Sequence, residues 1–163
     1  MIIDRDIRLI PVDINSNIDL VLDIASKNPH ANLTHEKLKE ALPFVKHTWI
    51  GHAHGMFIGV IFLLHFPSED EWTIDAYRDE RKIQSIKDRQ KSIDKRSDFS
   101  YRGGRAILKW FFENKSANFI FTMHVKENRA ATMLCKRLGF EEAGFIQDLI
   151  VLKLRREIWA LKH

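Results

Sequence analysis

The sequence predicts an α+β fold in which a mixed, mostly antiparallel sheet carries helices on its faces. Helix-like and strand-like segments alternate along the chain, and a continuous apolar run at residues 56–66 is typical of a strand in the middle of a sheet. A third segment, residues 126–140, has the caps and apolar spacing of a helix. With 163 residues, 45% of them hydrophobic, we expect one domain spanning residues 1–163 around one core.

The first predicted elements are a strand and two helices. Residues 6–12 alternate between apolar and polar side chains, which predicts a strand. Ser16 or Asn17 is expected to cap the first helix, which Pro29 stops. Thr34 is expected to cap the second.

A strand meander follows. Residues 47–52 and 56–66 are predicted to pair as a hairpin around a turn at residues 53–55. Residues 71–77 alternate and are predicted to form the next strand. One face of that strand is polar and is expected to face a cleft; it carries Thr73, Asp75 and Tyr77.

Residues 78–100 are dense in charge and form an insertion. Ile83, Ile86 and Ile93 lie at helical spacing, but the stripe they make is too narrow for us to expect good burial. Two interpretations stay open: a solvated, partly helical insertion, or an arm that binds a protein or a nucleic acid.

A glycine pair is predicted to precede the next helix, at about residues 107–114. Backbone amides that converge at a helix N-terminus bind phosphate, and Arg102 and Arg105 add positive charge on either side of Gly103 and Gly104. A plain connecting turn is the alternative interpretation.

The C-terminal third is predicted as a strand, a capped helix, two strands and a short closing helix. Residues 119–125, 143–147 and 148–154 are the strands. Asn128 is expected to cap the helix at its start, and Gly139 to end it in the left-handed conformation. Its apolar stripe is Ala131, Leu134, Cys135 and Leu138.

Charge and cysteine content limit the classes of function. A net charge of +4 suits an anionic cofactor but falls short of a nucleic-acid-binding surface, so nucleic acid is not an expected partner. The single cysteine excludes an internal disulfide and a multi-cysteine zinc site, so no metal is expected. We expect a cytoplasmic location, because the sequence shows neither an export signal nor an apolar run long enough to span a membrane.

These residues make the chain resemble the GNAT superfamily of N-acyltransferases over nearly its whole length. The glycine pair resembles that family's pyrophosphate-binding turn: Gly104 and Ala106 match its last two positions, and its first position falls on Tyr101, with Arg102 displaced by one. The helix after the predicted strand at residues 119–125 resembles the family pattern at Asn128, Ala131, Leu134, Gly139, Phe140 and Gly144. The ending, DLIVLKLRREIW, is similar to the last strand and tail of branches that acetylate protein N-termini.

The resemblance implies a GNAT-like sheet that splays between its fourth and fifth strands, here residues 71–77 and 119–125, with acetyl-CoA as co-substrate in the notch. It implies that Asn128 meets the pantetheine arm. The amides of Gly103, Gly104, Arg105 and Ala106 would meet the pyrophosphate.

The resemblance also implies direct attack by an amine of a protein or small molecule on the thioester. Such a reaction needs a base, and Asp75 is the first candidate and His124 the second. Cys135 stands where many relatives have a tyrosine acid. The alternative interpretations are that Asp75 is a surface carboxylate, that His124 is a strand-end histidine with its hydrogen bonds satisfied, and that Cys135 is a buried structural cysteine.

A second resemblance is to a phage-encoded branch of GNAT-like head-assembly proteins. It implies a catalytically degenerate scaffold in the host cytoplasm that acts in virion head assembly or as a chaperone for internal virion proteins. In that reading residues 78–100 are the arm that contacts a virion protein.

Overall fold

The computed structural model describes residues 1–89 and 99–163. The strands are β1 (Ile2–Asp4), β2 (Ile7–Pro11), β3 (Val45–Ala53), β4 (Met56–Phe66), β5 (Glu71–Arg78), β6 (Phe119–Val125), β7 (Glu141–Ile146) and β8 (Leu149–Arg155). The helices are α1 (Ile18–Ser26), α2 (His35–Ala41), α3 (Glu80–Arg89), α4 (Phe99–Asn114), α5 (Arg129–Leu138) and α6 (Arg156–Lys162). A 3-10 turn, Ile14–Ser16, precedes α1.

The eight strands form one sheet in the order β1-β2-β3-β4-β5-β6-β8-β7. All neighbours are antiparallel except β5 and β6, which are parallel and share a single paired position, Thr73 with Phe121. Beyond that pair the two strands diverge. The predicted α+β sheet with a splay between these two strands is therefore confirmed.

Two hydrophobic clusters pack on opposite faces of the sheet. The first, which includes Ile120 and Phe111, lies beneath α3, α4 and α5. The second joins α1 and α2 to the other face of β3 and β4 around Ile50 and Phe62. Every strand residue therefore has a defined face, because successive side chains of a strand alternate.

Local signals in the sequence predicted several element ends correctly. Thr34 caps α2 by accepting a hydrogen bond from the Lys37 amide at 3.2 Å. Asn128 caps α5 in the same way through Ala131 N, and Gly139 ends that helix at φ 109°. The β3–β4 turn has positive φ at His54 and Gly55, as a two-residue hairpin requires.

Other expectations were wrong. The hairpin partner β1 was not predicted. Asn17 does occupy the N-cap position of α1, but its side chain makes no capping bond; instead its Nδ2 donates to Asp13 O at 2.7 Å. Ile83 and Ile86 are buried in the first cluster, because α3 needs only a narrow apolar stripe to pack against a sheet and a second helix. Ile93 lies outside the described residues.

The glycine pair also differs from its prediction. Because α4 begins by Phe99, Gly103 and Gly104 lie inside the helix and do not form a turn ahead of it. Their amides are therefore within the helical hydrogen-bond pattern. In the described part of the chain, no helix is long and apolar enough to cross a membrane.

Gly59 is placed where β4 and β5 approach closely, and its substitution should be destabilising. A Cβ on Gly59 would lie 2.9 Å from the Tyr77 carbonyl oxygen and 3.3 Å from Arg78 Cα, so Gly59→Ala must move β5. We expect a loss of about 1–3 kcal/mol in the free energy of unfolding, measured by urea denaturation. Gly51→Ala is the matched control, since its Cβ would meet no atom closer than 3.5 Å; equal losses would contradict the steric explanation.

Candidate active site

Asp75, the first candidate base, lies beside the splay between β5 and β6. Thr73 and Phe121 are paired, and the strands separate on the side of their C-terminal ends. Asp75 lies two residues beyond Thr73, at the point where β5 has left β6. A backbone edge that diverges within a sheet leaves room for an extended ligand between the strands.

Asp75 has the properties of a base that works near neutral pH. The side chain is half-buried on the face of β5 that looks toward α1, and burial raises its pKa to about 6. The neighbouring position on that face is Tyr77, whose pKa is raised to about 12 by burial and by the Asp75 charge. Burial thus raises both pKa values, and the environment makes each group a weaker acid than usual.

His124 does not join Asp75. On β6 it alternates with Phe121 and Met123, which share the Asp75 face, so His124 lies on the opposite face with Ile120. Its Nε2 is 2.7 Å from the Thr132 hydroxyl of α5, and burial lowers its pKa. His124 is therefore placed as in the alternative interpretation, a strand-end histidine with its hydrogen bond made within the chain.

Cys135 also lies on the α5 side of the sheet. It is half-buried against the first hydrophobic cluster, and burial raises the pKa of its thiol to about 12. A thiol in such a place donates its proton less readily than an ordinary one, which favours the structural interpretation.

Arg102 is engaged within the chain. Its Nη1 donates to Asp6 Oδ1 at 2.8 Å, and its guanidinium lies over the Phe99 ring. Asp6 Oδ2 is also 3.0 Å from His54 Nε2. The Arg102 Nε is buried with no partner among the described residues. This cluster ties α4 to two hairpin turns, and it argues against a phosphate contact by Arg102; Arg105, in contrast, is exposed.

Gly103 and Gly104 have different surroundings. A Cβ on Gly104 would meet Leu138 of α5 at 3.1 Å, so helix packing accounts for this glycine. A Cβ on the buried Gly103 would meet no atom of the described residues within 4 Å. Packing therefore gives no reason for glycine at position 103.

Sequence reasoning missed two residues of this region. Tyr77 was placed on the polar face but given no role, although its spacing of two residues from Asp75 predicts that the two side chains are neighbours. Asp6 could not be found, because no local signal indicates that the first hairpin reaches α4.

No protein-family model matches the chain, and no curated protein matches it in sequence. Solved structures do match its fold. Mutant forms of the spermidine/spermine N-acetyltransferase SpeG from Vibrio cholerae have a TM-score of 0.69 at 12% identity, covering 98% of this chain and 99% of that chain. The aminoglycoside acetyltransferase AAC(6')-Ib with coenzyme A has a TM-score of 0.67 at 14% identity, covering 95% and 98%.

A GNAT-family acetyltransferase from Bacillus anthracis is similar over 96% of this chain and 98% of its own length, with a TM-score of 0.64 and 11% identity. The chain therefore has the GNAT-like fold. At these identities the likeness establishes the fold alone.

Proposed function

We propose that the chain is an N-acyltransferase that transfers an acetyl group from acetyl-CoA to a primary amine. The observation that carries the proposal is Asp75, a carboxylate with its pKa raised to about 6, at the point where β5 and β6 separate. Solved structures of similar fold include coenzyme A complexes with amine substrates, namely SpeG with spermine and AAC(6')-Ib with ribostamycin.

In this proposal Asp75 takes the proton that the acceptor amine must lose. The amine nitrogen forms a bond to the thioester carbonyl carbon, the carbon–sulfur bond breaks, and the sulfur leaves as a thiolate that takes up a proton. A carboxylate of pKa about 6 is mostly ionised at pH 7 and is basic enough to assist. His124 has no part in the proposed step, because it lies on the other face of the sheet and is hydrogen-bonded to Thr132.

The residues present fit acetyl-CoA in part. The splay offers backbone edges of β5 and β6, and Asn128 lies at the start of α5 directly after β6. A Cβ on the buried Gly103 of α4 would have no described atom within 4 Å. We propose these as the places that the co-substrate contacts. The chemistry that it supplies is an activated acetyl group; Arg102 is not among the contacts, because Asp6 already neutralises it.

A second candidate function keeps the fold without the catalysis, as in a virion head-assembly or chaperone role. The Arg102–Asp6 pair favours it, since a cation expected near phosphate is used structurally. Calorimetric titration with acetyl-CoA separates the candidates. Binding with a dissociation constant below about a millimolar supports the enzyme, and no heat at that concentration contradicts it.

Gly103→Ala should separate cofactor binding from folding. Alanine is favoured over glycine inside a helix by about 1 kcal/mol, and the space at position 103 is open, so we expect a more stable protein. If acetyl-CoA approaches the helix here, its affinity should fall at least tenfold in the same calorimetric titration. A variant that is more stable and binds acetyl-CoA equally well would remove Gly103 from the site. Gly104→Ala is the control for packing alone, because its Cβ would press on Leu138.

A further inference from the structure

One sheet face beside the splay is apolar and lies outside both hydrophobic clusters. We call it the shelf. It is formed by residues of β6, β8 and β7 that share a face with Asp75, as the strand registers show. Its apolar side chains are Phe119, Phe121, Met123, Val125, Ile146, Leu149 and Val151.

The shelf is partly exposed. Within residues 1–89 and 99–163, none of its side chains belongs to either cluster, whereas the same face of β3 and β4 is covered by α1 and α2. Met123 is 37% exposed and Ile146 is 56% exposed. Sites for small molecules are concave and enclose most of the ligand, so a flat, exposed face of three strands suits a polypeptide better.

The shelf is continuous with the candidate base. Thr73 on β5 and Phe121 on β6 are paired, and both Asp75 and Met123 lie two residues further along on the same face. A chain lying across the shelf would therefore bring one end to Asp75.

The shelf carries a positive charge from Lys153, which lies two strands away from Asp75. Lys153 of β8 is paired with Phe121, and its Nζ lies 4.2 Å from the ring centroid of Phe119 and 5.7 Å from that of Phe121. Glu141 of β7 is opposite Lys153 in the strand register, but its carboxylate forms an ion pair with Arg155 at 3.4 Å. Among the described residues, Lys153 has no carboxylate within ion-pair distance.

On the premise of the proposed transferase activity, we propose that the acceptor is the amino terminus of a polypeptide with apolar first residues and an acidic third residue. The apolar residues would lie over Phe121 and Met123, and the acid would meet Lys153. Because β5 and β6 diverge at Asp75, β5 and β8 are at least two strand spacings apart, about 10 Å, and an extended chain covers that distance in about three residues.

The test compares three acceptors with acetyl-CoA: a Met-Leu-Glu-Ala peptide amide with a free amino terminus, the same peptide with lysine in place of glutamate, and spermine. We expect kcat/KM for the glutamate peptide to exceed that for the other two at least tenfold. Lys153→Glu should reverse the preference between the peptides, because it reverses the charge that the third residue meets. Equal rates with both peptides, or a preference for spermine, would overturn the inference.

A matched pair of variants tests the face. Met123→Glu should raise KM for the glutamate peptide at least tenfold, whereas Phe145→Glu should leave this KM unchanged, because Phe145 is 58% exposed but lies on the opposite face. Equal losses in both variants would refute the shelf. If spermine alone were acetylated, the proposed transferase activity would stand and only the peptide acceptor would be refuted. If the protein neither bound acetyl-CoA nor transferred its acetyl group, the transferase activity itself would be refuted.

Discussion

Asp75→Asn should abolish most acetyl transfer while making the protein more stable at neutral pH. The amide keeps the shape of the carboxyl but accepts no proton, and loss of a general base typically lowers the rate about 10²–10⁴-fold. The folded-state pKa of Asp75 is raised to about 6, so ionisation is costlier in the folded than in the unfolded chain. That cost is absent below pH 4, grows as the pH rises to 6, and stays constant above it.

Two measurements check this prediction together. Single-turnover acetylation reports the rate, and thermal denaturation at pH 5 and pH 7 reports a gain in stability that is larger at pH 7. For the wild type, activity should rise with pH through about 6 as the carboxylate forms. Asp70→Asn is the control, because Asp70 precedes the same strand but is an exposed partner of His65; a similar loss there, or an active Asp75→Asn, would rule out Asp75 as the base.

Features decided by neighbouring residues could be predicted from the sequence. The caps at Thr34 and Asn128 and the left-handed Gly139 depend on a few atoms within one turn of helix, so the local pattern was enough. The His54-Gly55 turn is of the same kind. The predicted alternation of β5 was also right, since the period of two is a property of the strand itself.

Features decided by contacts between distant elements could not be predicted. That Asp75 and His124 lie on opposite faces follows only from the register of Thr73 with Phe121, and nothing local encodes that register. The burial of Ile83 depends in the same way on α3 packing against the first cluster. The ion pair from Asp6 to Arg102 spans 96 positions along the chain, so a basic residue beside glycines was read as a phosphate ligand.

Arg156 is the clearest case of a long-range contact that stabilises the fold. Its guanidinium donates to three backbone carbonyls in the last turn of α4 and the segment that follows it: Phe112 O at 2.7 Å, Ala117 O at 3.0 Å, and Lys115 O. The last carbonyls of a helix lack partners within it and carry the negative end of the helix dipole. A planar cation with several donors satisfies them and also stacks on the Phe112 ring, 5.0 Å from its centroid.

Arg156→Ala should therefore cost about 3 kcal/mol of unfolding free energy, because hydrogen bonds to a charged donor contribute about 1.5–3 kcal/mol each and water replaces them in part. Arg156→Lys should recover little, since an ammonium cannot reach three carbonyls in the fork geometry of a guanidinium. The neighbouring Arg155 makes exposed ion pairs with Glu157 and Glu141, so Arg155→Ala should cost less than about 1 kcal/mol. Urea denaturation of the three variants measures the differences. If Arg156→Lys were as stable as the wild type, the positive charge, and not the three directed hydrogen bonds, would be what holds the end of α4 to the start of α6.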